Sequence, residues 1–246
     1  MDRLGYIAMT GASHTMRAQA VVANNLANIS TTGFRAELVA AGSAPIYGDT
    51  HASRVNVTTV GYGADFRAGA MVPTGRDLDV AINGEGFIAI QSPDGSEAYT
   101  RSGDLYVDTL GMLKTATGYP VLGDVGPIAI PPSSSLTIGA DGTISVVPLG
   151  QPANALAVVD RIRLVNPETG DLERGRDGLF RRQDGFAADP DASVTLVTGT
   201  LESSNVNAAA SLVEMIELSR TYEMQVKTIQ AARDDADQAA QLMRMR

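Results

Sequence analysis

The N-terminal segment has the hydrophobic spacing of a helix. Residues 4 to 27 contain no proline, and apolar side chains recur there at steps of three, four and seven residues. The stripe consists of Tyr6, Met9, Met16, Ala20, Ala23 and Ala27, with Ala12 and Leu26 beside it. Three asparagines lie close to the end of this stripe: Asn24, Asn25 and Asn28. Gly33 follows, and these residue types tolerate a left-handed turn, so the pattern predicts a helix that ends near Asn28.

The C-terminal segment carries a longer helical pattern. Steps of three and four residues alternate over about four heptads, which is the 3.5-residue period of a coiled coil. The stripe passes through Leu212, Met215, Ser219, Tyr222, Val226, Ile229, Arg233, Ala236, Ala240 and Met243. Ser211 and Glu214 have the spacing of a capping box. Asn205 or Asn207 is the alternative cap for an earlier start. Because polar and small residues weaken the stripe, we expect this helix to need a partner, the N-terminal helix of the same or a neighbouring chain.

Turn signals punctuate the region between the two helices. Asn-Gly or Asp-Gly pairs occur at residues 83–84, 94–95, 141–142, 177–178 and 184–185. The segments between them are short and aliphatic or β-branched, which is typical of strands in an all-β domain. The predicted strands are residues 78–82, 87–90, 105–107, 128–130, 136–138, 143–147, 162–165 and 194–197.

Composition narrows the class of protein. The 246 residues are 44% hydrophobic and 19% charged, which indicates a folded chain with one large domain or two small ones. The net charge of −9 and the 5% aromatic content disfavour nucleic acid and anionic membranes as partners. No apolar run approaches the ~18 residues of a membrane-spanning helix, so no direct membrane insertion is expected. The absence of cysteine excludes disulfides and thiolate metal sites.

The start of the sequence does not have the pattern of a conventional secretion signal. Met1-Asp2-Arg3-Leu4 carries one basic residue, and polar residues interrupt the stretch that follows it. If the protein acts outside the cytoplasm, we expect it to leave by another route.

The usual catalytic and cofactor-binding patterns are missing. His14 and His51 are the only histidines, and His14 has no carboxylate at the third or fourth following position. Lys114 and Lys227 are the only lysines, so there is no Walker A motif, and the acidic pairs lack the spacing of a calcium loop. We therefore expect no catalytic residue, no cofactor and no metal. An enzyme built on a β scaffold, and an export chaperone or adhesin, are the alternative classes.

A helix with an apolar stripe at each end of the chain favours assembly, because two such stripes need partners. The predicted fold class is α+β, with N- and C-terminal helices pairing as a coiled coil and flanking a central all-β domain. The predicted boundaries are an N-terminal helix over 1–34, an irregular linker over 35–70, the β domain over 71–200 and the coiled-coil helix over 201–246. The alternative is that both helices pack on the β domain of one monomer.

Three ordered motifs resemble those of bacterial flagellar rod and hook proteins. They are residues 23–34, Ala-Asn-Asn-Leu-Ala-Asn-Ile-Ser-Thr-Thr-Gly-Phe; residues 74–87 with Tyr99-Thr100-Arg101-Ser102-Gly103; and residues 201–207, Leu-Glu-Ser-Ser-Asn-Val-Asn. The resemblance continues through most of the chain. Within the family, residues 1–4, 123–128, 164–167 and 177–180 are most similar to proximal rod proteins. Distal rod proteins are the close alternative, and the hook protein is a distant one.

This resemblance implies a non-enzymatic subunit of the rod, the drive shaft that crosses the periplasm and transmits torque to the hook. Its terminal helices are expected to pair with those of other copies and other rod proteins into an inner tube. Export through the flagellar type III apparatus, without a cleaved signal peptide, is also implied. The predicted assembly residues are Met9, Met16, Ala23, Asn24, Asn25, Leu26, Asn28, Asn205, Leu212, Met215, Tyr222, Val226 and Ile229. For the last five, the alternative is a place in the subunit's own core.

Overall fold

The chain divides into two compact units. The computed structural model describes residues 4–46, 54–152, 155–175 and 177–244. One unit, called the helical unit here, is drawn from Met1–Ile29, Ala36–Asp65 and Val206–Arg246; the other, the β unit, is Ser30–Arg35 with Phe66–Asn205. The chain therefore crosses into the β unit twice and out of it twice.

The described residues form two long helices, sixteen strands and a short 3-10 helix, Thr169–Asp171. The helices are α1 (Leu4–Ala27) and α2 (Ala208–Arg244). The strands are β1 (Glu37–Ile46), β2 (Arg54–Ala64), β3 (Met71–Pro73), β4 (Val80–Asn83), β5 (Phe87–Gln91), β6 (Glu97–Thr100), β7 (Leu105–Val107), β8 (Leu113–Thr115), β9 (Ser133–Ile138), β10 (Thr143–Pro148), β11 (Ala157–Arg161), β12 (Leu164–Val165), β13 (Leu172–Arg174), β14 (Phe180–Arg182), β15 (Thr195–Thr198) and β16 (Thr200–Glu202). The order, helix then strands then helix, confirms the predicted α+β class.

In the helical unit, α1 and α2 pack against each other in antiparallel directions. Thr15 meets Gln225 and, farther along α1, Gln19 meets Ser219. The predicted pairing of the terminal helices is thus confirmed. The cap of α2 is Asn207, whose Oδ1 accepts a hydrogen bond from Ala210 N at 3.1 Å. The capping box predicted at Ser211 is wrong, because that residue already lies inside the helix.

The same unit contains a two-stranded hairpin that packs on α1. β1 and β2 pair antiparallel from Glu37 with Ala64 to Ile46 with Arg54, with a bulge between Ala40 and Ala41. The prediction of an irregular linker over 35–70 is wrong for these strands. Glycine and proline argued against a strand, but both strands are edges of a two-stranded ribbon, where such residues are tolerated.

The β unit is antiparallel throughout its described strand pairs. Its largest sheet has the order β12-β5-β6-β14-β13, a second has the order β11-β10-β9, and β15-β4, β16-β3 and β7-β8 form smaller pairs. A single aliphatic core fills the unit; its fully buried members include Val80, Ile88, Ile90, Leu105, Leu113, Val121, Ile128 and Ile144. Removal of this apolar surface from water is what drives the unit to fold.

Most predicted strands occur near their expected positions in this unit. The exceptions are residues 128–130, which make only an isolated bridge through Met112 and Ala129, and residues 162–165, of which only Leu164–Val165 is strand. Prolines at 127, 131 and 132 bracket the first of these segments. Because proline donates no backbone hydrogen bond, they prevent a continuous ladder there.

Candidate assembly surface

The face of α1 that packs within the helical unit is made of small residues. Gly11, Ala12, Thr15 and Val22 are buried. The Thr15 hydroxyl lies 3.0 Å from Gly11 O and 3.1 Å from Gln225 Oε1. Small side chains allow two helices to approach closely, and the polar contacts fix their register. This face was not recognised from the sequence, because glycine, alanine and threonine give a weak hydrophobic signal.

The stripe predicted on α1 lies on the opposite, outward side of the helix. Tyr6, Met9, Met16, Ala20, Ala23 and Ala27 are all exposed. The large members of this outer stripe expose more than half of their surface: 59% for Tyr6, 54% for Met9 and 56% for Met16. Arg17 is the single charged residue of α1. The side of α1 turned away from its own unit therefore carries an apolar stripe beside the exposed polar residues Ser13 and Asn24. The outward side of a helix in a monomeric protein is normally polar.

The coiled-coil stripe of α2 has a half-buried part and an exposed part. Met215, Tyr222, Val226 and Ile229 are half-buried, as expected for side chains facing α1, while Leu212 is 49% exposed. Leu212 lies with three further exposed apolar side chains that are outside the stripe. We call these four the outer patch: Leu212, Val213, Ile216 and Met224. Along the whole of α2, Ala208–Arg244, the structure buries no residue completely.

The asparagines predicted for assembly have partners within the subunit. Asn25 is buried and its amide makes two hydrogen bonds to the backbone of Glu37, at 2.9 Å from Nδ2 to O and 2.7 Å from N to Oδ1. This pair imitates one rung of a ladder and ties the first residue of β1 to α1. Asn28 Nδ2 donates to Asn24 O at the end of α1. In the β unit, Asn205 Nδ2 donates to Arg67 O at 3.0 Å.

The remaining predicted positions are divided between the two sides of α1. Ala23 is exposed on the outer stripe, and Leu26 is half-buried near the end of the helix. Met9 and Met16 are exposed, so they are open to a partner, whereas Asn25 is not. The structure thus separates side chains that hold the subunit together from side chains that are open to a neighbour.

Removal of the Asn25 amide is expected to loosen the junction of α1 and β1. Asn25→Ala leaves the Glu37 backbone without its two side-chain partners, so we expect a loss of about 1–3 kcal/mol in the free energy of unfolding. Denaturant unfolding of the full chain, with amide exchange at Glu37, measures this. Asn24→Ala is the control, because Asn24 is exposed, and it should change stability by less than about 0.5 kcal/mol. Equal effects of the two substitutions would contradict the assignment.

Neither a metal centre nor a membrane span emerges from the part of the chain that the structure describes. In that part, no three His, Cys, Asp or Glu side chains are grouped as a metal would require. None of its helices combines the length and the apolar composition that crossing a bilayer requires.

Family models match three successive parts of the chain. The model for flagella basal body rod proteins matches residues 6–35, that for the D1 domain of flagellar hook proteins FlgE/F/G matches residues 81–146, and that for the C-terminal region of flagellar basal body rod FlgEFG proteins matches residues 197–242. The flagellar basal-body rod protein FlgF of Escherichia coli (strain K12) is 46% identical over 253 residues, with all of both chains covered. The chain belongs to the FlgF family of flagellar basal-body rod proteins.

Two further flagellar basal-body rod proteins, one FlgF and one FlgG, are also similar to the chain along most of its length. FlgF of Salmonella typhimurium is 43% identical, again over all of both chains. FlgG of Bacillus subtilis (strain 168) is 30% identical over 93% of this chain and 94% of its own length. The predicted resemblance is confirmed, and this FlgF-family chain is a structural component of the flagellar basal-body rod.

Proposed function

We propose that this chain is a subunit of the proximal rod and joins its neighbours through the outward faces of α1 and α2. The observation that carries the proposal is the outer stripe of α1, whose large apolar side chains are more than half exposed. Its partners are further copies of this chain and the other rod proteins, whose own terminal helices are expected to supply matching faces. The proposed role is structural, with no catalytic step.

Each of α1 and α2 buries apolar surface against the other on one side only. Contiguous exposed apolar surface on a soluble protein marks an interaction site more often than a plain surface. Burial of one such side chain contributes about 1.5–3 kcal/mol, and a subunit in a tubular lattice repeats each contact many times. The outer stripe and the outer patch supply the apolar side chains for such contacts, and Arg17 is the single charged residue of α1.

Membership of a rod has a consequence for the route that the chain takes. The family resemblance implies that the rod crosses the periplasm, so each of its subunits has to be exported across the inner membrane. We propose the flagellar type III apparatus as the route, as the family resemblance implies. The small number of fully buried residues in α1 and the absence of any in α2 support this, because helices held by so little buried surface are easily unfolded for transport.

The distal rod is the second candidate location. The identity with FlgG of Bacillus subtilis extends over more than nine tenths of both chains, which supports this second candidate. The higher identity with FlgF of Escherichia coli favours the proximal rod.

Quantitative mass spectrometry of purified hook–basal bodies tests the proposal. We expect this chain in the particle, at a copy number that is small compared with that of the distal rod protein. Several-fold more copies would place the chain in the distal rod instead. Absence from the particle would contradict a role in the rod altogether and favour an export partner.

Limited proteolysis of the isolated chain should distinguish its two units. Because α2 has no fully buried residue while the core of the β unit is fully buried, we expect cleavage in α1 and α2 before cleavage in the β unit. Mass spectrometry of the fragments over time records the order. Cleavage of the β unit at the same rate as the helices would contradict the expectation.

A further inference from the structure

Three charged side chains are buried together inside the β unit. Arg35, Arg101 and Glu202 expose 1%, 5% and 1% of their surface. We call this group the clasp. Charged residues are almost never buried this deeply unless they are paired, so their arrangement requires an explanation.

The Glu202 carboxylate is the centre of the clasp. Its Oε1 accepts hydrogen bonds from Arg35 Nη2 at 2.7 Å and from Gly69 N at 2.8 Å. Its Oε2 accepts one from Arg101 Nη1 at 3.0 Å. Arg101 also donates to the backbone carbonyls of Gly86, at 2.9 Å from Nε, and Gly84. One carboxylate therefore faces two guanidinium groups and a backbone amide.

The clasp joins parts of the chain that are far apart in sequence. Glu202 is separated by 167 residues from Arg35 and by 101 from Arg101. Arg35 ends the first segment of the β unit, and Glu202 lies just before the chain leaves it. The backbones of these two segments are also bonded, through Gly33 N to Glu202 O at 2.8 Å and Asn205 N to Phe34 O at 3.3 Å.

The backbone around the clasp is closely packed, which leaves no room for another conformation of the segment that contains Arg35. Gly33 has φ of +65°, and a Cβ on it would lie 2.2 Å from the carbonyl carbon of Arg101. The Arg174 guanidinium lies 4.3 Å from the centre of the Phe34 ring and donates to Arg35 O at 2.7 Å. The segment that contains Arg35 is thus held on several sides in a single position.

Buried charged groups contribute little net stability to a folded protein. Desolvation of buried ions offsets most of their attraction, and apolar residues of similar volume are often as stable. Removal of one member of a buried set is nevertheless strongly destabilising, because the remaining charges are left without compensation. A buried charged set is therefore suited to selecting one arrangement over others.

We propose that Glu202 acts as a charge-specific latch that closes the β unit on its first and last segments. Until this carboxylate is in place, Arg35 and Arg101 are better solvated outside the core, so the unit does not close around an incorrect partner. Once in place, it holds residues 30–35 beside residues 202–205 in one register. The polypeptide continues from these two segments into α1 and α2. The latch rests on the β unit alone and is independent of the proposed rod location.

The latch also explains residues in the sequence motifs that resemble those of rod and hook proteins. A role in a turn or a helix cap does not explain these residues. Arg101 lies in the motif at residues 99–103, Glu202 in the motif at residues 201–207, and Arg35 directly follows the motif at residues 23–34. Gly84, which belongs to the predicted turn at residues 83–84, and Gly86 supply carbonyl acceptors for Arg101. Each motif thus contributes one part of the same buried group.

Amide hydrogen exchange of the full chain with Glu202→Gln tests the latch. The variant keeps the shape of the side chain and removes the charge, so we expect exchange at Gly33 and Gly69 to accelerate by about 30-fold, with β10 changed by less than about threefold. Glu97→Gln is the matched control, because it removes a partly buried carboxylate of the same unit that pairs with Arg163. It should leave exchange at Gly33 and Gly69 unchanged.

Two results would overturn the proposal. One is unchanged exchange at Gly33 and Gly69 in Glu202→Gln. The other is equal acceleration throughout the β unit, which would make Glu202 an ordinary contributor to stability. If Glu202→Gln does not fold, Arg35→Met replaces it, since that variant leaves Arg101 and Glu202 as a one-to-one pair. We expect a selective acceleration of about tenfold at Gly33 in Arg35→Met, and its absence would equally overturn the latch.

Discussion

Gly103→Ala is expected to destabilise the β unit by about 4 kcal/mol or more, enough to prevent its folding. A Cβ at this position would lie 1.7 Å from the carbonyl oxygen of Val80, far inside any permitted contact. The two backbones cannot separate easily, because Val80 N donates to Gly103 O at 2.9 Å and Val80 is fully buried in the core. Thermal unfolding of the full chain, followed by circular dichroism in the far ultraviolet, measures the loss.

Gly126→Ala is the matched control for this substitution. Gly126 belongs to the same unit, its φ is not positive, and a Cβ there meets no atom within 4 Å. We expect Gly126→Ala to change the free energy of unfolding by less than about 0.5 kcal/mol. If Gly103→Ala melts like Gly126→Ala, the close approach of residues 80 and 103 does not exist in solution.

Much of the fold follows from local patterns in the sequence. The helical period identifies α1 to within one residue of its C-terminal end, and the 3.5-residue period of α2 identifies its half-buried face. The Asn-Gly and Asp-Gly pairs mark turns between strands such as β4 and β5. These elements are predictable because each depends on neighbours a few residues away.

The hairpin of β1 and β2 illustrates what local patterns miss. Its strands contain Gly42, Pro45 and Gly63, which argue against a strand in the middle of a sheet. The hairpin is a separate two-stranded ribbon that packs on α1. Neither of its strands is a central strand, so glycine and proline are tolerated in both. The contact with α1 that selects it, including the amide of Asn25, is a tertiary interaction and has no sequence period.

The clasp was missed for a related reason. Within its own segment, Arg35 is a residue after a turn, Arg101 is a residue at a strand end and Glu202 is part of a cap. None of these local roles indicates a buried charged group. Their shared role depends on a sequence separation of more than one hundred residues, which only the folded chain reveals.

The candidate assembly surface was predicted in part. The sequence identified the apolar stripe of α1, which the structure places outward, and the stripe of α2, of which only Met215, Tyr222, Val226 and Ile229 are half-buried. It did not predict the small-residue face through Gly11 and Thr15, since close helix packing uses side chains that carry little hydrophobic signal. Ala12, which the sequence placed beside the outer stripe, is buried on this small-residue face instead. In the outer patch, Val213, Ile216 and Met224 lie outside the predicted 3.5-residue stripe, whereas Leu212 lies on it.

Charge on either outward face is expected to abolish incorporation into the rod. Met16→Asp places a carboxylate on the outer stripe of α1, and Ile216→Asp places one on the outer patch of α2. In an assembled lattice each carboxylate would lose its water without gaining a partner, so we expect incorporation to fall by about 100-fold or more. Quantitative mass spectrometry of hook–basal bodies from cells that carry each variant measures the fall, and motility should be lost with it.

Conservative changes at the same positions separate the interface from folding. Met16→Leu and Ile216→Leu keep an apolar side chain of similar volume, so both should assemble like the unsubstituted chain. Because Met16 and Ile216 are more than half exposed in the subunit, the aspartate variants should also leave the unfolding of the β unit unchanged. Normal incorporation of Met16→Asp and Ile216→Asp would show that these faces remain exposed to water in the rod, and that neighbours meet elsewhere.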